Sequence, residues 1–289
     1  MNLTSLREVR NLLAELGIHP SKALGQNFLI DLNILNILLD TARISSMDVV
    51  LEVGPGLGVV TERLLQKASR VIAVEKDNKL FHFLKDRFGK EERLELICAD
   101  MLDVDMDLLL RAGVNKMVSN LPYSAGGRIL VNLTMSNLRL EQITVTLQEE
   151  VARRLAAQPG NKSYGSLTVW IQADYEITQG KMISPTCFWP RPEVQSVIVN
   201  MDRRGSSLIA PSARKLFHEI TKRFFMYRRK QVATIIGRVS GELGLSGAAF
   251  LSLLEELGID PTARPENVSV DDWCRLAAAG QLLVAKEHR

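Results

Sequence analysis

The sequence predicts an α/β protein: a doubly wound, mostly parallel sheet with an antiparallel edge hairpin, followed by a small C-terminal helical domain. Three observations carry this expectation. Between residues 48 and 147, apolar runs of strand length alternate with amphipathic runs of helix length. A glycine-rich turn, Gly54-Pro55-Gly56-Leu57-Gly58, separates the first strand from its helix. After Arg203-Arg204-Gly205-Ser206-Ser207 the β-type runs stop and four helical patterns follow, so a boundary near 204 divides the chain into domains 1–204 and 205–289.

In order, residues 3–16 read as an amphipathic helix ending at Gly17. The loop from Lys22 to Asp31 has little periodicity, and residues 33–43 read as a helix capped near Asp31. The first strand runs from Asp48 to Val53, and the helix Val59 to Ala68 follows the glycine turn. The second strand, Arg70 to Val74, ends in Glu75 and leads to a helix over about 77–88. The third, Leu94 to Ala99, ends at Asp100, and the fourth, Lys116 to Ser119, ends at Asn120. A helix near 127–137 and a fifth strand, Ile143 to Leu147, come next. β-rich segments near 166–177 and 194–201 are expected to pair antiparallel at the sheet edge. The helical domain holds patterns over 211–225, 229–240, 247–257 and 270–285. Open α/β sheets bind ligands beyond the carboxyl ends of their strands, so Glu75, Asp100 and Asn120 should converge on one crevice.

Composition narrows the function classes. The chain is 46% hydrophobic, without an apolar run of membrane-spanning length or a secretory start, and is expected to be cytosolic. Cys98, Cys187 and Cys274 are odd in number and far apart, which argues against disulfides or a CxxC metal site. No metal is expected, and His19, His82, His218 and His288 receive no role. The net charge of +3 is unevenly placed: residues 203–238 carry 10 basic residues against the single acid Glu219. Phe224, Phe225 and Tyr227 lie among Lys222, Arg223, Arg228, Arg229 and Lys230, which points to a phosphate-binding surface and nominates these five cations for RNA contact. No apolar stripe is left over, so a monomer is expected.

Glycines at 54, 56 and 58 let a ligand approach the backbone and the helix N-terminus. The dinucleotide fingerprint G-x-G-x-x-G needs glycine at 59, where this chain has Val59. Glu52, just before the turn, suits an amino group better than a pyrophosphate. Glu75 can accept both hydroxyls of a ribose. A ligand with a cationic amino acid at one end and adenosine at the other is S-adenosylmethionine. A purely structural turn and another nucleotide remain open on the glycines alone.

Asn120-Leu121-Pro122-Tyr123 resembles the segment of methyltransferases that act on exocyclic amines, in its RNA-adenine form. The N6 lone pair of adenine is delocalised into the ring, so that amine is a poor nucleophile. The Asn120 side-chain oxygen and the Leu121 carbonyl can accept its two hydrogens and draw the nitrogen toward tetrahedral geometry. Tyr123 can stack on the extracted base, worth about 1–3 kcal/mol. The sulfonium already activates the methyl, so positioning and electrostatics can supply much of the catalysis.

Further segments extend the resemblance. Gly25-Gln26-Asn27-Phe28-Leu29, the turn from Glu52 to Gly58, Glu75, Asp100-Met101 and Phe188-Trp189-Pro190-Arg191-Pro192-Glu193-Val194-Gln195-Ser196 all match one family. Nearly end to end, the chain resembles the KsgA family of bacterial small-subunit rRNA adenine dimethyltransferases. The resemblance implies a Rossmann-like class I methyltransferase domain with a helical C-terminal domain. It also implies N6,N6-dimethylation of two adjacent adenosines near the 3′ end of 16S rRNA within the small ribosomal subunit, with S-adenosylhomocysteine as product. Carried over by position, Asn27, Leu29, Gly54, Glu75, Asp100 and Asn120 would contact the cofactor, and Asp100 would bind the adenine amine. Glu52, Gly56 and Gly58 join this set from the turn itself. Asn120, Leu121, Pro122 and Tyr123 would hold the target base, with Phe188 on its other face. Glu193 and Gln195 stand where the family usually has Lys and Asp, and Gln231-Val232-Ala233-Thr234 replaces its usual continuation after Arg228-Arg229-Lys230. A 23S rRNA methyltransferase of the resistance type, an assembly factor acting by binding, and a nicotinamide dehydrogenase are the competing readings.

Overall fold

The computed structural model describes residues 2–287, with side chains through Leu283. Among them, seven strands form one sheet: β1 (Val49–Val53), β2 (Arg70–Glu75), β3 (Leu94–Cys98), β4 (Lys116–Asn120), β5 (Gln142–Gln148), β6 (Tyr175–Ile183) and β7 (Ser196–Arg203). Their spatial order is β3-β2-β1-β4-β5-β7-β6. The pairs within β3-β2-β1-β4-β5 are parallel, and β7 runs antiparallel to β5. The strand order reverses beside β1, between β2 and β4, which is the switch point where such sheets open a crevice.

The central strands read as nearly unbroken apolar runs because helices cover both faces. Val50, Leu51, Val71, Ile72 and Ala73 are completely buried. Leu35 and Leu38 of helix Leu32–Thr41 and Leu64 of helix Val59–Leu65 pack with Val50, Val71 and Val118. Side-chain caps fix where two helices begin. Asp31 accepts from the Asn33 and Ile34 N–H groups, and Asp77 accepts from those of Lys79 and Leu80. Each such cap contributes about 1 kcal/mol.

Two expectations are corrected. The segment near 166–177 is not one strand. Ser166–Gln172 is a helix, and the strand that borders β7 begins only at Tyr175. A short apolar run buried on most of its positions fits either period, and packing decides. Here Val169 and Ala173 join the helical core, and the Trp170 Nε1–H donates to the Thr221 hydroxyl at 2.6 Å. The second correction follows from the first. The chain forms two compact units, Met1–Ala152 with Ile177–Arg203, and Arg153–Glu176 with Arg204–Arg289. A single cut at 204 misplaces residues 153–176, whose Tyr164 packs in one core with Phe217, Phe224, Phe250 and Trp273. Within this second unit Arg214 also pairs with Asp174 at 2.6 Å, both side chains buried. No helix among the described residues is long and apolar enough to cross a membrane. His288 lies outside the described residues.

Candidate active site

The glycine turn leaves β1 with three left-handed backbones, at φ of 66° (Gly54), 60° (Gly56) and 82° (Gly58). Gly58 caps the following helix, and a Cβ there would sit 2.7 Å from a Phe88 ring carbon and 2.9 Å from Leu84, so a side chain is excluded twice over. Glu75, at the end of β2, braces the turn. Its carboxylate accepts the Gly56 N–H at 3.0 Å and the Asp77 N–H at 2.8 Å. Burial pushes this carboxyl above the ordinary range, and the two N–H groups oppose that. Glu52 is fully buried and accepts the Thr61 hydroxyl at 2.6 Å.

Burial, with the Glu75 charge adding to it and the Thr61 bond opposing it, pushes Glu52 up to about 8 from its ordinary 4.5. Because the folded value lies above the unfolded one, the fold keeps a proton that the unfolded chain loses. Stability from Glu52 is complete below about pH 4.5 and declines as pH rises toward 8. Glu52→Gln, which preserves an acceptor for Thr61, should flatten that decline. Thermal midpoints of the two proteins from pH 5 to 9 give the comparison, and parallel curves would refute the assignment.

Glu52, Gly54, Gly56 and Glu75 line one cleft of about 160 Å³, together with Gly25, Asp100 and Asn120, whereas Gly58, packed against Phe88 and Leu84, is not part of its wall. Asp100 follows β3. Its carboxylate accepts the Leu102 N–H at 2.9 Å and the Lys76 ammonium at 2.7 Å, and the lysine holds it below the usual carboxylate range. Asn120, the last residue of β4, donates from Nδ2 to the Asn27 carbonyl at 2.8 Å. Its Oδ1 accepts the hydroxyl of Thr146, the residue opposite it on β5.

That bond to Asn27 shows why the early loop matters. The loop lies on the 120–123 segment so closely that a Cβ at Gly25 would fall 2.7 Å from the Ser124 nitrogen and 2.8 Å from that of Tyr123. Its continuation, Phe28–Leu29, forms a two-residue antiparallel ladder with Phe188–Trp189. Leu29 is 2% exposed and packs in the core beside Phe188.

Tyr123 meets β7 through a hydrogen bond between its hydroxyl and that of buried Ser196. Phe188, expected on the far face of a target base, is placed differently. It is 1% exposed, packed with Leu35 and Ile198, and edge-on to Tyr123 at 6.2 Å and 72°. Rings at that angle and distance leave no slot for a base between them, so the structure gives Phe188 a core position.

The basic residues divide in the same way. Lys222, Arg229 and Lys230 are exposed. Arg223 is paired with Glu242 and lies 3.5 Å from Glu219. Arg228 bonds Glu266 and the Lys162 carbonyl, the latter at 2.6 Å. Arg228 thus braces a loop inside the helical unit instead of presenting a free charge. Arg228→Ala should cost about 1–2 kcal/mol, since charged hydrogen bonds of a half-exposed pair are screened. Lys230→Ala should leave the thermal midpoint within a degree or two. Equal midpoints for both variants would contradict the bracing role. Thr61, Thr146 and Lys76 escaped the sequence reading, and Ser196 was read only as a motif residue without a role, because each gains its position through a partner distant in sequence.

An open sheet of this order with its cleft at the switch point defines a Rossmann-like α/β fold, and the family match makes it a methyltransferase. Residues 19–281 match the ribosomal RNA adenine dimethylase family, and the chain belongs to it. It is 35% identical over 275 residues to ribosomal RNA small subunit methyltransferase A of Ligilactobacillus salivarius, covering 93% of each chain. It is 34% identical to the protein of that name from Geobacter metallireducens, over 93% of this chain and 98% of that one. In fold it resembles a dimethyladenosine transferase from Plasmodium falciparum, with a TM-score of 0.72 at 23% identity over 85% of this chain and 94% of that one. The 23S rRNA methyltransferase ErmE follows at 0.63 and 22%, over 87% and 98%.

Proposed function

We propose that this protein dimethylates N6 of two adjacent adenosines near the 3′ end of 16S rRNA in the small ribosomal subunit, using S-adenosylmethionine. The observation that carries this reading is Asn120 at the end of β4, tied to Asn27 and lining the same cleft as Glu75 and Asp100.

The donor set fits the cofactor. Glu75 and Asp100 offer carboxylate acceptors for a ribose diol and an adenine amine. Gly54 and Gly56 expose backbone without side chains, and Asn27 and Asn120 complete the wall. Glu52 ties the end of β1 to the following helix through Thr61 and offers a carboxyl to an amino group. When bound, the cofactor supplies a methyl group already activated on a sulfonium. The chain's own task is to orient the amine. Asn120 Oδ1 and the Leu121 carbonyl accept its hydrogens, Pro122 shapes the turn, and Tyr123 offers a ring face to the base. On the second unit Lys222, Arg229 and Lys230 contact phosphates, which gives salt-dependent affinity without reading sequence.

Undermethylated small subunits and labelled S-adenosylmethionine test the whole reading. Dimethyladenosine should appear in 16S rRNA and not in free 23S rRNA. Transfer to 23S rRNA would move the assignment to the other branch represented by ErmE, and no transfer to either would refute it.

A further inference from the structure

We propose that Thr146 is a positioning residue for methyl transfer: its hydroxyl holds the Asn120 carboxamide in the one orientation that turns an acceptor oxygen to the target amine. This inference rests on the function proposed above.

The register sets up the contact. Asn120 and Thr146 are direct partners on adjacent parallel strands, β4 and β5. Thr146 is completely buried, with Asn120 on β4 and Ile198 on β7 as its partners across the sheet. A hydroxyl in such a place costs about 1–3 kcal/mol unless bonded. Its hydrogen bond goes to Asn120 Oδ1. The neighbouring threonine on the same strand, Thr144, is satisfied elsewhere, by Asn200 at 2.9 Å. The hydroxyl at 146 thus makes its hydrogen bond to the cleft residue Asn120 across the β4–β5 register.

A carboxamide is nearly symmetric in shape and opposite in hydrogen-bonding sense at its two ends. Asn120 is gripped at both. Its NH2 donates to the Asn27 carbonyl at 2.8 Å, and its oxygen receives the Thr146 proton. A flipped carboxamide would set oxygen against the Asn27 carbonyl oxygen and would aim N–H at the substrate. An N–H there would donate to the amine lone pair that must attack the methyl. The oxygen has two lone pairs, so the threonine occupies one and leaves the other for the amine. Thr146 also fixes the plane of the amide, and with it the direction of that second lone pair. Loss of the hydroxyl should therefore act on turnover more than on binding.

Thr146→Val keeps shape and strand propensity and removes the donor, whereas Thr146→Ser keeps the donor. The valine variant should lower kcat by about 10- to 100-fold, the range expected when a reacting group loses its alignment. Its Kd for S-adenosylhomocysteine should stay within about threefold of wild type, since one neutral hydrogen bond in the second rank changes little. The serine variant should turn over within about threefold of wild type by the same argument. Asn120→Ala combined with Thr146→Val should be no slower than Asn120→Ala alone, because residues acting as a unit are not additive. A valine variant with wild-type kcat, beside a slow Asn120→Ala, would overturn the role of Thr146 and leave the proposed function standing. Equal losses in the valine and serine variants would assign the effect to packing and overturn it as well. A fully active Asn120→Ala would refute the role of Asn120 itself, and that of Thr146 with it.

Discussion

Asn120→Ala should slow methyl transfer to adenosine by about 10²- to 10³-fold, the cost of removing one preorganised polar group at a reacting centre. The adenine amine attacks poorly because its lone pair belongs to the ring. Only an acceptor in the right place draws the hydrogens out of plane and frees that pair. Asn120 stands at a strand end, lines the cleft and is held by Asn27 and Thr146, so its position does not depend on substrate. Affinity for S-adenosylhomocysteine should change by less than about tenfold, as one hydrogen bond is worth roughly 1 kcal/mol. Asn120→Asp gives a sharper control. It matches asparagine in shape, yet it sets a carboxylate oxygen against the Asn27 carbonyl. Single-turnover rates on undermethylated subunits measure both variants. An Asn120→Ala protein that retains more than a tenth of the wild-type rate would remove the asparagine from the mechanism.

Glu75→Ala should weaken cofactor binding by about 10²- to 10³-fold, the loss of two charge-assisted hydrogen bonds. On the proposed function the carboxylate would serve both the ligand and the protein. Each oxygen accepts a backbone N–H, from Gly56 and from Asp77, and a second lone pair on each is what the proposed function assigns to a ribose hydroxyl. Truncation removes the acceptor and loosens the glycine turn at once. Glu75→Gln keeps one oxygen and should lose only about 10- to 30-fold on the same scale. Calorimetric titration with S-adenosylhomocysteine reports each value. An alanine variant that binds as tightly as wild type would place the ribose elsewhere.

The parallel core was legible because burial on both faces writes it as apolar runs with polar ends. Glu75 and Asn120 close their strands and Asp100 follows β3 shortly after its last residue, and the three line a common cleft. Caps at Asp31 and Asp77 mark helices in the local chain, so both starts could be placed within a residue or two. What stayed hidden depends on partners far away in sequence. Ser166–Gln172 carries an apolar run that suits either period, and only its contact with Thr221 and the helical core decides. Thr146 becomes part of the site through strand register, which no local pattern states. Arg228 looks like its neighbours in a basic run, yet Glu266 and Lys162 claim it. Phe188 sits in a motif and still points into the core.

The ladder between Phe28–Leu29 and Phe188–Trp189 has a consequence for synthesis. The two segments emerge about 160 residues apart, so at 5–20 residues per second the first waits roughly 8–30 s for the second. By the second half of that interval the glycine turn, Glu75 and Asp100 are made, while the wall that carries Asn27 still has no partner strand. The nascent chain therefore holds half a cleft while the stretch between Asp100 and Phe188 is being made. Cofactor added during translation would meet an incomplete site and would begin to stabilise the fold only after β7 is released.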